Sequence, residues 1–301
     1  MRSCCFSTVD EGGHEAETAI RVHSDCDAPP IPDGISIVPT PPGRWHMTAT
    51  EQYFELSDSI VRVRPAGRLP IDVWIGASRE ARRRLALAHV MALAVHAALR
   101  QCALYSFHGA GLALPDGSAG LLVAGAAGTG KSTLTLRLAQ RGWRYLGDDS
   151  LLLYNTASGV AACGLRQPFA VSTKTIAAMD WPRLRDCLKA PLLDDPDKHW
   201  VDPEDLFPGQ VARTMRPAVL LFPEMTGEPR SRLSEVRPAD ALSHLIRTRL
   251  WTGRYDMDAH GCLRVLGQLA RQVRSYQLMA GRDLLESPGC AADLLGPLLE
   301  S

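Results

Sequence analysis

The chain has 301 residues and a mass of 32.8 kDa, enough for two domains of about 150 residues or one elaborated α/β domain. Hydrophobic residues make up 46% and charged residues 22%, so a sizeable core can be buried and global disorder is excluded. Lys plus Arg (33) balances Asp plus Glu (33), so no bulk attraction to nucleic acid or to an anionic membrane is expected.

Residues 1–26 carry no apolar signal-peptide region and place Asp10, Glu11, Glu15 and Glu17 among small polar residues. Residues 27–44 hold six prolines. Together, 1–44 read as a flexible tail and proline-rich lead-in. Two β-branched runs, Ser59–Arg64 and Ile71–Ile75, predict strands. Ser78 is placed to cap a helix running to about Arg100. From Leu85 that helix is apolar nearly all round and calls for packing on both sides. It is too short to span a membrane and carries His89 and His96. Residues 45–104 thus form a small α+β element. The eight cysteines are scattered, with no CxxC pair, which fits a reducing cytoplasm better than a zinc ribbon or a disulfide scaffold.

From 105 to 125 the sequence predicts a hairpin: YSFHGAGLAL, the turn PDGSAG, then LLVAG. A helix follows from Lys131 to about Arg141, with Gly142 placed to end it. WRYLG leads into Asp148-Asp149, and LLLY makes a further strand. Beyond 165 prolines recur at 168, 182, 191, 196, 203 and 208, and the texture loosens. AVLLF (218–222) predicts a buried strand; helices are expected at 239–251, 259–274 and 290–300.

One segment carries specific chemistry. Gly125-Ala-Ala-Gly128-Thr129-Gly130-Lys131-Ser132-Thr133 matches G-x-x-x-x-G-K-[ST], the phosphate-binding loop. Glycines let the backbone curl so that successive N–H groups point at phosphate oxygens, and the following helix adds its positive N-terminal dipole. Lys131, one of only four lysines (131, 174, 189, 198), would reach the β- and γ-phosphates, and the Ser132 hydroxyl would ligate Mg²⁺. Asp148-Asp149 follows 17 residues after Lys131. Mg²⁺ needs an acidic partner, and transfer to a hydroxyl benefits from a carboxylate base, so two adjacent carboxylates can divide those tasks. His108 precedes the loop strand, and an antiparallel hairpin would bring it near Gly125.

These three elements, in the order FHGAGLAL, GAAGTGKST, LAQRGWRYLGDDS, resemble the catalytic domain of the HPr kinase/phosphorylase superfamily. The resemblance covers about residues 105–155. It implies an α/β fold with a nucleotide-binding core like that of HPr kinase and ATP-dependent phosphoenolpyruvate carboxykinase, a small divergent α+β N-terminal part, and a kinase domain over 105–301. It assigns triphosphate and Mg²⁺ to Lys131 and Ser132, the serine-activating base to Asp148, a metal contact to Asp149 and a supporting role to His108. It also implies a homo-oligomer, with contact residues that are not matched in this chain. The E-[IV]-R-G-[LIVM]-G signature of that superfamily is not found after residue 155; GLRQPFAVSTK stands nearest by position, with Arg166 and Lys174 as anion contacts. The short divergent N-terminal part and the His-Gly strand look more like the related serine kinases of ribosomal peptide pathways, lasso peptides included.

The sequence therefore leads to a cytoplasmic ATP- and Mg²⁺-dependent kinase acting on a serine of a peptide or protein. A small-molecule kinase and a nucleotide-binding switch stand as alternatives. The acidic segment Asp194–Asp205 reads as a solvated loop in which Lys198 and Trp200 could grip a peptide tail. Arg166, Lys174 and Lys198 are the candidate acceptor contacts, all in the proline-rich stretch after the Asp-Asp strand.

Overall fold

A computed structural model describes residues 2–9, 15–24, 28–32, 36–40, 43–64, 70–78, 84–165, 168–179, 181–192, 195–247 and 259–300. The fold is mixed α/β with several sheets. The chain divides into two compact units, Met1–Tyr105 with Trp251–Cys262, and Ser106–Leu250 with Leu263–Ser301.

The first unit is a seven-stranded sheet. Its strands are β1 (Arg2–Val9), β2 (Glu15–His23), β3 (Ser36–Thr40), β4 (Gly43–Met47), β5 (Gln52–Leu56), β6 (Ser59–Val63) and β7 (Ile71–Trp74), in the order β1-β2-β7-β6-β5-β4-β3. Helix α1 (Arg84–Gln101) packs on β2, β6 and β7. Val90, Leu93, Ala94, Ala97 and Ala98 of α1 meet Ile20, Val61, Val63, Ile71 and Val73 of the sheet. Each of the larger side chains contributes roughly 1.5–3 kcal/mol through burial.

Residues 1–44 were expected to be a flexible tail and proline-rich lead-in; the described residues among them include strands β1, β2 and β3 and the start of β4. β2 pairs in parallel with β7 from Ile20↔Ile71 to His23↔Trp74, and β1 and β3 complete the sheet. The alternation Thr18-Ala-Ile20-Arg-Val22 puts Ile20 and Val22 on the helix-covered core, a two-residue period that the neighbouring prolines mask. The Ser78 N–H and hydroxyl both donate to Asp58 (2.9 and 2.6 Å); the helix start that Ser78 was expected to cap, over 79–83, lies outside the described residues.

On the opposite face Asp72 gathers charge. Its carboxylate accepts from Arg62 (2.7 Å) and Arg64, with His23 at 3.4 Å, and its side chain is 4% exposed. Burial alone would raise its pKa. The hydrogen bonds from Arg62 and His23 and the charges of both arginines outweigh burial and hold it below the ordinary value.

The second unit is built on a six-stranded sheet ordered β11-β9-β10-β18-β20-β19. Along the chain, β8 (Tyr105–Phe107) lies at the boundary between units and is followed by β9 (Gly109–Ala113), β10 (Gly120–Ala124), α2 (Lys131–Ala139) and β11 (Arg144–Gly147). Then come β12 (Leu151–Thr156) and β13 (Gly159–Gly164), followed by β14 (Phe169–Ser172), α3 (Thr173–Met179), α4 (Pro182–Asp186), β15 (Leu188–Pro191), β16 (Lys198–Val201) and α5 (Pro203–Leu206). The chain continues through β17 (Thr214–Met215), β18 (Pro217–Met225), β19 (Arg232–Val236), α6 (Pro238–Arg247), α7 (Ala259–Gln272), β20 (Arg274–Ala280), α8 (Asp283–Glu286) and α9 (Pro288–Glu300). β10, β18 and β20 run parallel; β9 is antiparallel to both β10 and β11. Strands β10 and β18 are buried almost throughout, as fits parallel strands covered on both faces. Helix α2 lies between β9 and α9, burying Leu134, Leu136, Leu138 and Ala139.

The loose texture expected after 165 resolves into a small sheet ordered β14-β16-β15. The acidic stretch read as a solvated loop contains β16, with Val201 fully buried, and Asp202 caps α5 by accepting from the Glu204 N–H (3.0 Å). Among the described residues no helix is long and apolar enough to cross a membrane.

Candidate functional site

The sheet order brings the three sequence elements to one edge. β9 pairs antiparallel with β10, with Gly109 opposite Ala124, so His108 stands next to the residue that opens the loop. β9 also pairs with β11, with Gly111 opposite Gly147, so Asp148 leaves its strand at the same edge. Strand backbones approach closely: a Cβ on Gly109 would lie 2.3 Å from the Val123 carbonyl oxygen.

Between β10 and α2 the chain turns through Gly128 and Gly130, both at positive φ (83° and 93°) that disfavours other residues. Residues 126–128 are exposed. Thr129 ties the turn by donating its hydroxyl to the Ala126 carbonyl (3.0 Å). Gly130 opens α2 and accepts from the Leu134 N–H (2.9 Å). The Lys131 side chain bends back across the loop. Its ammonium donates to the carbonyls of Gly125 and Ala126 at 3.0 Å each, and the residue is only 5% exposed. A cation is thereby fixed over a strand-to-helix turn whose first helical N–H groups have no helical acceptor, an arrangement suited to a polyphosphate.

The two aspartates differ sharply. Asp148 is half-buried beside Ser132 and Lys131; its Oδ1 accepts from the Asp149 N–H (3.1 Å), and its Oδ2, shielded from solvent, has no hydrogen-bond partner. Burial, and then the charge of Asp149, push its pKa up to about 6, against the opposing effects of the Ser132 hydroxyl and the Lys131 charge. Asp149 is exposed, and its backbone takes the left-handed conformation (φ 65°). The sequence assigned the base to Asp148 and the metal to Asp149, whereas the structure sets Asp148 against Ser132 and turns Asp149 outward. The left-handed residue reverses the chain direction between them, so adjacent side chains face different surroundings.

His108 touches neither carboxylate. Its Nδ1 donates to the Asp149 carbonyl (3.0 Å) and braces the left-handed residue. Thr133 Oγ1 lies 3.3 Å from Thr175 Oγ1, which also meets Ser172 Oγ (3.0 Å). This contact brings the start of α3, and with it the exposed Lys174, beside the loop helix. Lys198 lies opposite Ser172 in β16 and pairs with Asp195 (3.1 Å). Arg166 lies outside the described residues. Thr175 carried no sequence signal. Met225, packed against Gly130, lies three residues past the predicted AVLLF run, at the end of the same strand, and the end of a strand parallel to β10 has to lie near the loop.

The residues present fit a divalent cation. Ser132 and Asp148 offer a hydroxyl and a half-buried carboxylate with an uncommitted oxygen. Among the described residues no cluster of three or more His, Cys, Asp or Glu forms a metal cage. A hard cation that shares its coordination with phosphates and water suits such a sparse donor set. Beside β11 lies a cavity of about 640 Å³, lined by Leu146, Cys163, Gly164, Glu204, Arg213 and Thr214 among others.

No protein-family model matches the chain, and no curated protein matches it significantly. Among solved structures, the Hpr(Ser) kinase/phosphatase from Coxiella burnetii is similar over 44% of this chain and 72% of that chain, with 17% identity and a TM-score of 0.26.

Proposed function

We propose that this protein is an ATP- and Mg²⁺-dependent kinase that transfers the γ-phosphate to a serine hydroxyl of a peptide or protein. The observation that carries this reading is the convergence of the Gly125–Ser132 loop, Asp148-Asp149 and His108 at one sheet edge. Loop N–H groups and Lys131 would hold the β- and γ-phosphates. Ser132 and Asp148 would hold Mg²⁺, which when bound offsets phosphate charge. The exposed Asp149 accepts the serine proton as the serine oxygen forms its bond to the γ-phosphorus. The bond from that phosphorus to the bridging oxygen breaks, and ADP leaves. Lys131 offsets the charge that develops on the transferring group. His108 acts through the Asp149 backbone and is a positioning residue.

This division of the two aspartates reverses the one that the sequence resemblance implied. It is supported by the Asp148 Oδ2, shielded from solvent beside Ser132, and by the exposure of Asp149, which leaves that carboxylate the more accessible of the two to an incoming hydroxyl. A flexible acceptor would approach over α3, where Lys174 is exposed, with the cavity beside β11 as a second stretch of its path. A ribosomally made precursor peptide, such as a lasso precursor, is the acceptor class that the sequence resemblance favours.

Transfer of labelled γ-phosphate from ATP to serine-bearing peptides tests the reading, with Lys131→Ala as the control. Lys131→Ala should lower transfer by about 10²-fold or more, the scale of a lost transition-state charge contact. Retention of more than about a tenth of wild-type transfer is too small a loss for that role and would refute the assignment.

A further inference from the structure

We infer that the nucleobase of the bound nucleotide lies on an apolar shelf that Met225 presents over the buried Leu278, Ala280 and Leu284, and that the protein discriminates weakly among nucleobases. This rests on the phosphate-loop reading of Gly125–Ser132 and adds where the rest of the nucleotide goes. The loop follows β10, which has different neighbours on its two sides. On one flank β9 and β11 carry His108, Asp148 and Asp149, so the reacting γ-phosphate belongs there. On the other flank β18 and β20 end in Met225 and Ala280, which face each other in register. A triphosphate laid across the loop with its γ end at the acids directs its nucleoside towards that second flank.

A shallow cleft of about 20 Å³ lies there, bordered by Thr129, Gly130 and Thr133 of the loop and by the apolar shelf. It is too small to enclose a base, so the base would lie on it. Met225 is 41% exposed although hydrophobic, and its sulfur lies 2.8 Å from where a Cβ on Gly130 would sit. A flexible thioether half free at the loop edge is suited to a flat aromatic ring. Among the described residues lining the cleft no charged group stands ready to read a base edge, and the Thr129 and Thr133 hydroxyls are already engaged with the Ala126 carbonyl and the Thr175 hydroxyl. The four side chains are apolar, and the Ala280 carbonyl already accepts from the Thr226 N–H (3.0 Å) and hydroxyl (3.2 Å). Strong discrimination needs buried polar groups that the wrong ligand leaves unpaired, and apolar contact discriminates far less.

Calorimetric titration of the full chain in Mg²⁺ buffer with ATP, GTP and inorganic tripolyphosphate tests this. ATP and GTP should bind within about tenfold of each other, and both more tightly than tripolyphosphate. Met225→Ala should weaken ATP and GTP by about 3- to 10-fold, the scale of a sulfur–aromatic contact, and leave tripolyphosphate unchanged. Met225→Leu, which keeps the apolar surface, should recover part of that loss. The shelf is refuted if Met225→Ala alters nucleotides and tripolyphosphate equally or not at all, or if one base is preferred by more than about 100-fold. In those cases tripolyphosphate binding still supports the phosphate loop. If tripolyphosphate itself fails to bind, the phosphate-loop reading falls and the shelf falls with it.

Discussion

Replacing the two aspartates one at a time separates the proposed metal carboxylate, Asp148, from the proposed base, Asp149. Asp148→Asn removes a charge held beside Ser132, so Mg²⁺-dependent nucleotide binding should weaken by about 10- to 100-fold, a scale measured for groups that support a metal. Asp149→Asn leaves that pocket intact, so binding should persist while transfer slows by about 10²-fold or more. A stability readout adds a sign that loss of activity alone does not supply. In the folded, metal-free protein the Asp148 pKa is raised from 3.8 to about 6 by burial and by Asp149. The charged carboxylate therefore costs stability, by an amount that grows as pH rises from the unfolded value towards the folded one and is full above it. Asp148→Asn, which carries no charge, should raise the melting stability of the metal-free protein at pH 7 by on the order of 1–3 kcal/mol. The gain should shrink as pH falls from about 6 to about 4 and be absent below that, where both states of the wild type are protonated. Nucleotide titration, a transfer assay and thermal melts in chelator give the three readings. If Asp148→Asn spares binding and slows transfer while Asp149→Asn loses binding, the allocation is reversed. If Asp148→Asn destabilises the metal-free protein at pH 7, the burial reasoning is wrong.

Two further predictions concern residues that act through others. His108→Ala should lower kcat by roughly tenfold with little change in nucleotide affinity, because only the brace on the Asp149 carbonyl is lost; His108→Asn, whose amide can still donate, should recover part of the rate. An equal loss in nucleotide binding would show that His108 supports the loop instead. Asp72→Asn should destabilise the N-terminal unit by about 2–3 kcal/mol at pH 7, since it leaves Arg62 and Arg64 without their shared carboxylate. Because the folded-state pKa of Asp72 is lowered, that contribution is present above the ordinary aspartate value and is lost as pH falls through the folded one. The gap between wild type and variant in thermal melts should therefore close on acidification, and a gap independent of pH would refute the ion-pair account.

The parts of this site that could be read from the sequence are those that are local along the chain. The β9–β10 hairpin, the loop, α2 and β11 fall within residues 109–147, and each is announced by a short pattern: PDGSAG for the turn, the glycines and Lys131 for the loop, Gly142 for the helix stop. What stayed hidden depends on distant partners or on a single dihedral angle. β18, which flanks the loop strand, and β20, which lies beyond it, come from about 100 and 150 residues away, and no pattern at the loop names them. β16 escaped notice because its flanks, DDPD and DPED, are acidic, while only Val201 of its four residues is buried. The sharpest case is Asp148-Asp149. Two identical residues side by side give the sequence no means of telling which faces the loop. The left-handed backbone of Asp149, held by the His108 hydrogen bond, makes that choice. A histidine 41 residues upstream thus braces the turn that sets one of two equal carboxylates beside Ser132 and leaves the other exposed. The brace, more than the identity of either acid, is what turns a repeated residue into two different chemical groups.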